Sequence, residues 1–273
     1  MSFLTAVLLG LVQGITEFLP VSSSGHLALL QNVFHIEEAD LMFDVMLHIG
    51  TLIAIFAVYK SDVRDMLRGF TLLATGRGGK KSGQTARLRR RLALLILVAT
   101  LPLVLAVPFA GKVETLTGHT VVVGVLLILN GLILHVSDRG RVGRKELKDM
   151  SVVDALLIGL GQVVAVLPGI SRSGTTISVG VSRGLSRSYG VRFSFLLSIP
   201  AVLGATVVQL ISGGAGFDFS MLPMYLVGMV ASAVSGYFSI RVLKWLAARS
   251  SFGSFAYYCW GAGIIALILS LVA

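Results

Sequence analysis

Apolar runs, most of them long and two of them interrupted, set the pattern of this 273-residue chain. Long, predominantly apolar stretches at roughly 42–59, 90–110, 119–136, 190–211, 221–243 and 254–272 each approach or exceed the ~17–25 residues a helix needs to cross a bilayer. Two other regions depart from this. Residues 3–12 are apolar but too short to span, Gln13, Glu17 and Pro20 follow at once, and a second short run covers 27–34. The same design returns at 152–167, followed by Pro168, Gly169, a Ser/Arg/Ser/Gly cluster and a short run from 177. Proline interrupts a regular helix. Backbone outside a helix is tolerated at membrane depth only where protein or a water-filled cavity surrounds it. Both regions therefore predict re-entrant helix pairs, 2–34 and 152–184, broken at the tip.

The two interrupted regions resemble each other. At an offset of 149, Gly10, Leu11 and Gln13 fall on Gly159, Leu160 and Gln162, and Ser22-Ser23-Ser24-Gly25 falls on Ser171-Arg172-Ser173-Gly174. One further step places Phe43, Leu47 and Ile49 on Phe193, Leu197 and Ile199. The expected fold is an all-α polytopic membrane protein, six transmembrane helices plus two broken re-entrant pairs in an inverted-topology repeat. The first repeat covers 1–136, a cytoplasmic linker 137–151 and the second repeat 152–273. Three spans per half turn the second half over relative to the first, and such repeats place a substrate site at their interface near the midplane.

Composition agrees: 55% of residues are hydrophobic and only 13% charged, about half the charged share of a soluble domain. The first apolar run has no Lys or Arg before it, which argues against a cleaved leader. One cysteine, Cys259, permits no disulfide within the chain. The net charge of +10 reads as membrane orientation, not as nucleic-acid binding. Twenty-one of the 23 Lys and Arg fall on one side of the expected topology, Lys112 and Arg172 being the others. That side is cytoplasmic by the positive-inside rule. Glu37, Glu38, Asp40, Glu114 and Asp218 fall opposite, and both termini lie outside. Residues 60–91 read as a basic loop, with 76–86 a flexible linker near anionic headgroups. Ser151-Val-Val-Asp154 reads as a structural capping box.

The chemistry concentrates at the broken tips. Glu17 and Arg172 each cost at least ~2.5–3.5 kcal/mol at membrane depth if left alone, so the tips are expected to meet and pair them. Ser171-Arg172-Ser173-Gly174-Thr175-Thr176 combines hydroxyls, a guanidinium and a helix start, which suit phosphate oxygens. His26 next to Ser22, Ser23 and Ser24 could activate a nucleophile or protonate a leaving oxygen, and the residues alone do not rank the three serines. Gly25 frees the backbone beside them. Gln13 and Gln162 either bridge the half-helices or touch a ligand. His48 and His135 read as packing residues, and Asp44 as a helix-start residue. A diphosphate beside Glu17 calls for a hard divalent cation, Mg²⁺ or Ca²⁺, held by Glu17 and the phosphate oxygens.

Gln13-x-x-x-Glu17-Phe18-Leu19-Pro20-Val21-Ser22-Ser23-Ser24-Gly25-His26 and Pro168-Gly169-Ile170-Ser171-Arg172-Ser173-Gly174-x-Thr176 resemble the two signatures of bacterial undecaprenyl-diphosphatases, the bacitracin-resistance type of membrane phosphatase. The resemblance extends over the whole chain in length, span order and repeat. It implies removal of the terminal phosphate from undecaprenyl diphosphate, recycling the lipid carrier of cell-wall synthesis. It also implies a divalent cation, a bacterial plasma-membrane location and a site open to the outer face. Glu17, His26, Ser23 and Arg172 are the catalytic candidates, and the resemblance favours Ser23 among the serines. Gln13, Ser22, Ser24, Gly25, Ser171, Ser173, Gly174 and Thr176 are the substrate-binding candidates, and Glu17 the metal ligand. Gln13 stands at the first position of an acidic pair that the family fills with Glu or Gln. The expected partners are a polyprenyl diphosphate lipid and the bilayer, without nucleic acid, and a homodimer is compatible with the reading. The alternative is a transporter or flippase of a phosphorylated polyprenyl lipid, which needs the phosphate donors but no serine–histidine chemistry.

Overall fold

A computed structural model describes residues 1–33, 41–77, 82–140, 143–212, 218–249 and 252–272, without the side chains of Val33, Glu114, Ser212 and Val272. Glu37, Glu38, Asp40, Lys80, Lys81 and Arg141 lie outside the described residues, as does the middle of the 76–86 linker. The described residues are helical, with one isolated bridge between Lys145 and Leu185. Six helical stretches are long and apolar enough to cross a membrane: Leu41–Val58, Gln84–Val113, Thr120–Asp138, Arg187–Ile211, Phe219–Arg249 and Gly253–Leu271. They contain α3 (Leu41–Val58), α5 (Gln84–Thr100), α7 (Thr120–Asp138), α10 (Arg187–Ser212), α11 (Leu222–Arg249) and α12 (Gly253–Val272). The chain is a multi-pass membrane protein.

Both interrupted regions break where expected. Helix α1 (Phe3–Phe18) is capped by the Ser2 hydroxyl on the Thr5 N–H and ends before Pro20; α2 (Ser23–Val33) follows. Helix α8 (Val152–Val164) stops ahead of Pro168, and α9 (Arg172–Ser182) resumes. The capping box is present at α8, with the Ser151 hydroxyl accepting from the Asp154 N–H and the Asp154 carboxylate from the Ser151 N–H. Lys145 at 3.2 Å and Arg183 at 3.0 Å close on the same carboxylate, tying the 145–151 segment, α8 and the end of α9 together. Burial opposes that charge, but the Ser151 bonds and the two cations outweigh it and hold the carboxyl at about 2. Because its folded value is depressed, the latch contributes above the ordinary carboxylate range and fades only as pH falls toward 2.

Two stretches differ from expectation. The 60–91 segment is not all loop: α4 (Lys60–Ala74) is an amphipathic helix that lays Val63, Met66 and Gly69 against α5. Its apolar stripe is too sparse for a span, and its other face is basic. The 90–110 run is not one α-helix. Past Thr100 it tightens into a 3₁₀ stretch, Leu101–Phe109, carrying Pro102 and Pro108, and α6 (Ala110–Thr117) follows. Proline removes an N–H from the helical ladder and crowds the preceding turn.

Small residues let the helices approach. Helix α1 packs against α11 and α3, and α8 against α5. A Cβ at Gly10 would lie 2.5 Å from the Gly228 carbonyl, and one at Gly14 2.3 Å from the Ser232 carbonyl. This Gly-x-x-x-Gly face presses backbone on backbone, the usual basis of helix association in lipid. Gly14→Ala is expected to push α1 off α11 and destabilise the folded protein by ~1–3 kcal/mol. Gly261→Ala, where a Cβ would meet nothing within 4 Å, should be neutral or slightly stabilising. Thermal unfolding of both variants in detergent checks this; equal melting temperatures would refute the close-contact account.

Candidate active site

The residues of the site come from the two broken tips. Ser22 adopts a positive φ of 71°, rare for a residue with a side chain. Such a conformation persists where the surroundings over-determine it. Here the Ser22 hydroxyl accepts from the Gly25 N–H at 3.3 Å, and its carbonyl accepts from the His26 N–H at 3.2 Å, so Ser22 starts α2. Ser171, its counterpart at the offset of 149, starts α9 in the same way, its hydroxyl accepting from the Gly174 N–H at 3.0 Å. The tips touch. A Cβ on Gly25 would lie 3.0 Å from the Gly169 Cα, and one on Gly174 3.2 Å from the Pro20 Cβ. Gly169 has a φ of 108° and backs directly onto Val123 and Leu126 of α7.

The first residue of each resumed helix reaches one carboxylate. Ser23 donates to Glu17 Oε2 at 2.6 Å, and Arg172 Nη2 donates to Glu17 Oε1 at 2.5 Å. These two residues share one position of the repeated pattern. Gln13, one turn earlier on α1, donates to Glu17 Oε2 at 3.2 Å. Glu17 is 6% exposed, so its charge depends on these partners. A small cavity beside the pair is lined by Glu17, Phe18, Arg172, Ser173, Ser194, Phe195 and Ser198. Arg172 Nη1, buried next to the ion pair, has no hydrogen-bond partner among the described residues. Both resumed helices also aim their N-terminal ends at this region, adding partial positive charge.

The other predicted residues take different places. His26 is not turned to Glu17. Its Nδ1 meets the Ser22 carbonyl at 2.8 Å, which makes that nitrogen the donor, and its Nε2 accepts from the Tyr258 hydroxyl at 2.8 Å; the two rings stack 5.6 Å apart. Ser24 is exposed and lies 3.4 Å from the Ser22 hydroxyl. Ser173 donates to the Leu19 carbonyl at 3.2 Å, joining one tip to the other. Thr176 bonds the Arg172 carbonyl and the Ser194 hydroxyl, at 2.8 and 2.6 Å. Gln162, the counterpart of Gln13, is buried with neither amide atom bonded among the described residues, so within them it does not bridge the half-helices. Asp44 lies in the first turn of α3, as expected for a helix-start residue.

Two contributors were not singled out as site residues. His48, read as a packing residue, stands within electrostatic reach of Glu17. Asn130 of α7 is fully buried, and it ties the tips together. Its Nδ2 donates to the Pro20 carbonyl at 3.0 Å, and its Oδ1 accepts from the Ser171 N–H at 2.9 Å. The same Nδ2 lies 3.3 Å from Cys259 Sγ. The available signal was a lone amide inside an otherwise apolar span.

Fold and site together define a multi-pass helical membrane protein with a buried acid, guanidinium and hydroxyl held between two broken helix pairs. The chain belongs to the bacitracin resistance protein BacA family, which it matches over residues 6–265. It is 42% identical to an undecaprenyl-diphosphatase of Methanobrevibacter smithii over 99% of both chains. An undecaprenyl-diphosphatase of Methanosphaera stadtmanae is 43% identical over the whole of this chain and 99% of its own. One of Alkaliphilus metalliredigens is 40% identical over the full length of both.

Proposed function

We propose that this protein is an undecaprenyl-diphosphatase, hydrolysing undecaprenyl diphosphate to undecaprenyl phosphate and inorganic phosphate within the membrane. The observation that carries the reading is the convergence of Ser23, Arg172 and Gln13 on Glu17, with a guanidinium nitrogen left unbonded beside it. The lipid tail stays among the spans. The diphosphate enters between the tips, where Arg172 Nη1 and the α2 and α9 N-termini bind its oxygens and stabilise charge that develops in the transition state. Glu17 takes the proton from the Ser23 hydroxyl, or from a water in its place, as that oxygen attacks the terminal phosphorus. The anhydride bond breaks and the lipid phosphate leaves; where Ser23 is the nucleophile, a water then cleaves the phosphoserine, releasing inorganic phosphate and returning the Ser23 hydroxyl. A protonated His26 would donate from Nε2 to the Tyr258 oxygen, and the tyrosine's own proton would pass on toward the leaving oxygen.

Oxygen donors alone are available from Glu17, the Gln13 carbonyl and Ser23, a set that suits Mg²⁺ or Ca²⁺. Glu17 Oε2 already accepts from both Ser23 and Gln13, so Oε1, which accepts from Arg172, keeps a second lone pair for such an ion. Among the described residues no three His, Cys, Asp or Glu side chains cluster, so substrate phosphates would supply further ligands. Such an ion would neutralise charge on those phosphates when bound. The two halves read as inverted repeats, supported by α1 packing on α11 as α8 packs on α5. The basic ends then face the cytoplasm, both termini lie outside, and the site opens to the outer face of the plasma membrane.

Purified protein is expected to release phosphate from undecaprenyl diphosphate. A chelator should abolish release, and added Mg²⁺ or Ca²⁺ should restore it. Release from soluble pyrophosphate but not from the lipid would overturn the substrate, and undiminished release under chelation would overturn the cation.

A further inference from the structure

The span Phe219–Arg249 runs 31 residues, about ten more than a bilayer core requires. Its last turns therefore reach the headgroup layer. They carry Tyr237, Arg241, Lys244, Trp245 and Arg249. Between this end of α11 and the end of α3 lies a cavity lined by Ala57, Val58, Tyr237, Arg241 and Lys244. Two cations in one concavity call for an anion. The neighbouring carboxylates are committed elsewhere, Asp62 to Arg192 and Asp65 to Arg89.

Arg241 and Lys244 rest instead on aromatic rings. The Arg241 guanidinium lies 5.6 Å from the Tyr237 centroid and donates to its hydroxyl at 3.2 Å. The Lys244 ammonium lies 4.8 Å from the Tyr59 centroid. Such contacts fix a cation in place without neutralising it. Toward the middle of the span the walls turn apolar and open. Ile53, one turn from Ala57 on α3, is 46% exposed, and Val234, one turn from Tyr237 on α11, is 51% exposed. The two helices run in parallel, Gly50 meeting Met229 and Gly236 meeting Ala54. Exposed apolar side chains thus lie one turn further along both helices, on the membrane side of the cations. A guanidinium and an ammonium above an open apolar strip match a phosphate above acyl chains.

We propose that this cavity binds the phosphate of an anionic glycerophospholipid, with its acyl chains lying along Ile53 and Val234. The site is independent of the catalytic reading. The test is native mass spectrometry of the purified protein with phosphatidylglycerol against phosphatidylcholine of the same chains. Wild type should retain one phosphatidylglycerol preferentially, and Arg241→Ala/Lys244→Ala should lose that preference by on the order of thirtyfold. Arg64→Ala/Arg68→Ala, which removes two exposed cations of α4, should keep it. Hydrolysis in phosphatidylglycerol-free detergent should be equal in all three and reports that they fold. The proposal is overturned if the Arg241/Lys244 pair retains the lipid, or if both double variants lose it alike, which would mark general surface charge. Inorganic phosphate displacing the lipid as effectively as competing phosphatidylglycerol would also overturn it, in favour of a free-phosphate site.

Discussion

Arg172→Ala is expected to remove turnover of undecaprenyl diphosphate by about a thousandfold or more, the range seen when a charge-stabilising arginine is taken from phosphoryl transfer. The change acts twice. It deletes the Nη1 donor available to substrate, and it leaves Glu17 buried with its Ser23 and Gln13 bonds but no cation at 2.5 Å. An uncompensated buried charge costs about 3–5 kcal/mol, so the variant should also melt earlier. Arg172→Lys should recover stability better than rate, because an ammonium replaces the charge but not the forked donors that hold carboxylate and phosphate at once.

The double variant Glu17→Gln/Arg172→Ala separates the two effects. Removing both charges ends the burial penalty, so the melting temperature should return toward wild type. Turnover should remain absent, since both the base and the phosphate donor are gone. Phosphate release from the lipid, followed beside thermal unfolding in detergent, reads both quantities. If the double variant regained activity along with stability, Glu17 and Arg172 would form a structural pair and the catalytic site would lie elsewhere.

The tips were legible because the physics there is unforgiving. A glutamate, an arginine and two prolines inside apolar surroundings have few tolerable explanations, and meeting one another is the least costly. The pairing of Ser23 and Arg172 with the same carboxylate follows from a repeat visible at one offset. What stayed hidden were contacts that no spacing encodes. The His26–Tyr258 bond joins residues 232 apart in the chain. Geometry turns the histidine to that tyrosine although it is only three residues from Ser23. Thr176 and Ser173, read as phosphate donors, spend their hydroxyls on backbone and on Ser194. Helix α4 is hard to read from sequence because its five charged residues all fall in the first nine positions, while Val63, Met66 and Gly69 are its buried face.

Asn130→Ala is the second large effect expected, about a hundredfold loss of turnover with substrate affinity little changed. Breaking a helix inside a bundle strands backbone groups that no helical neighbour can satisfy. The Pro20 carbonyl and the Ser171 N–H are two of these, one on each tip, and a single amide serves both. Each would cost about 1–3 kcal/mol if left buried and unbonded. The tips would part to find other partners, and Ser171 directly precedes Arg172, while Pro20 lies three residues before Ser23. A shift near 1 Å between reacting groups is enough for ~10²-fold in rate. Asn130→Asp sharpens the argument: its carboxylate still accepts from Ser171 but cannot donate to Pro20, so the α9 tip should hold while the α1–α2 tip loosens. Cys259→Ala removes two weak sulfur contacts, to Asn130 Nδ2 at 3.3 Å and to the Pro20 carbonyl at 3.8 Å, leaves both amide bonds of Asn130 to the tips in place and should leave turnover nearly intact. Steady-state kinetics of the three variants on lipid substrate, at temperatures where each remains folded, decide the matter. A lowered kcat at constant KM in both Asn130 variants supports positioning, whereas wild-type kcat in Asn130→Ala would show that the tips hold their geometry without it.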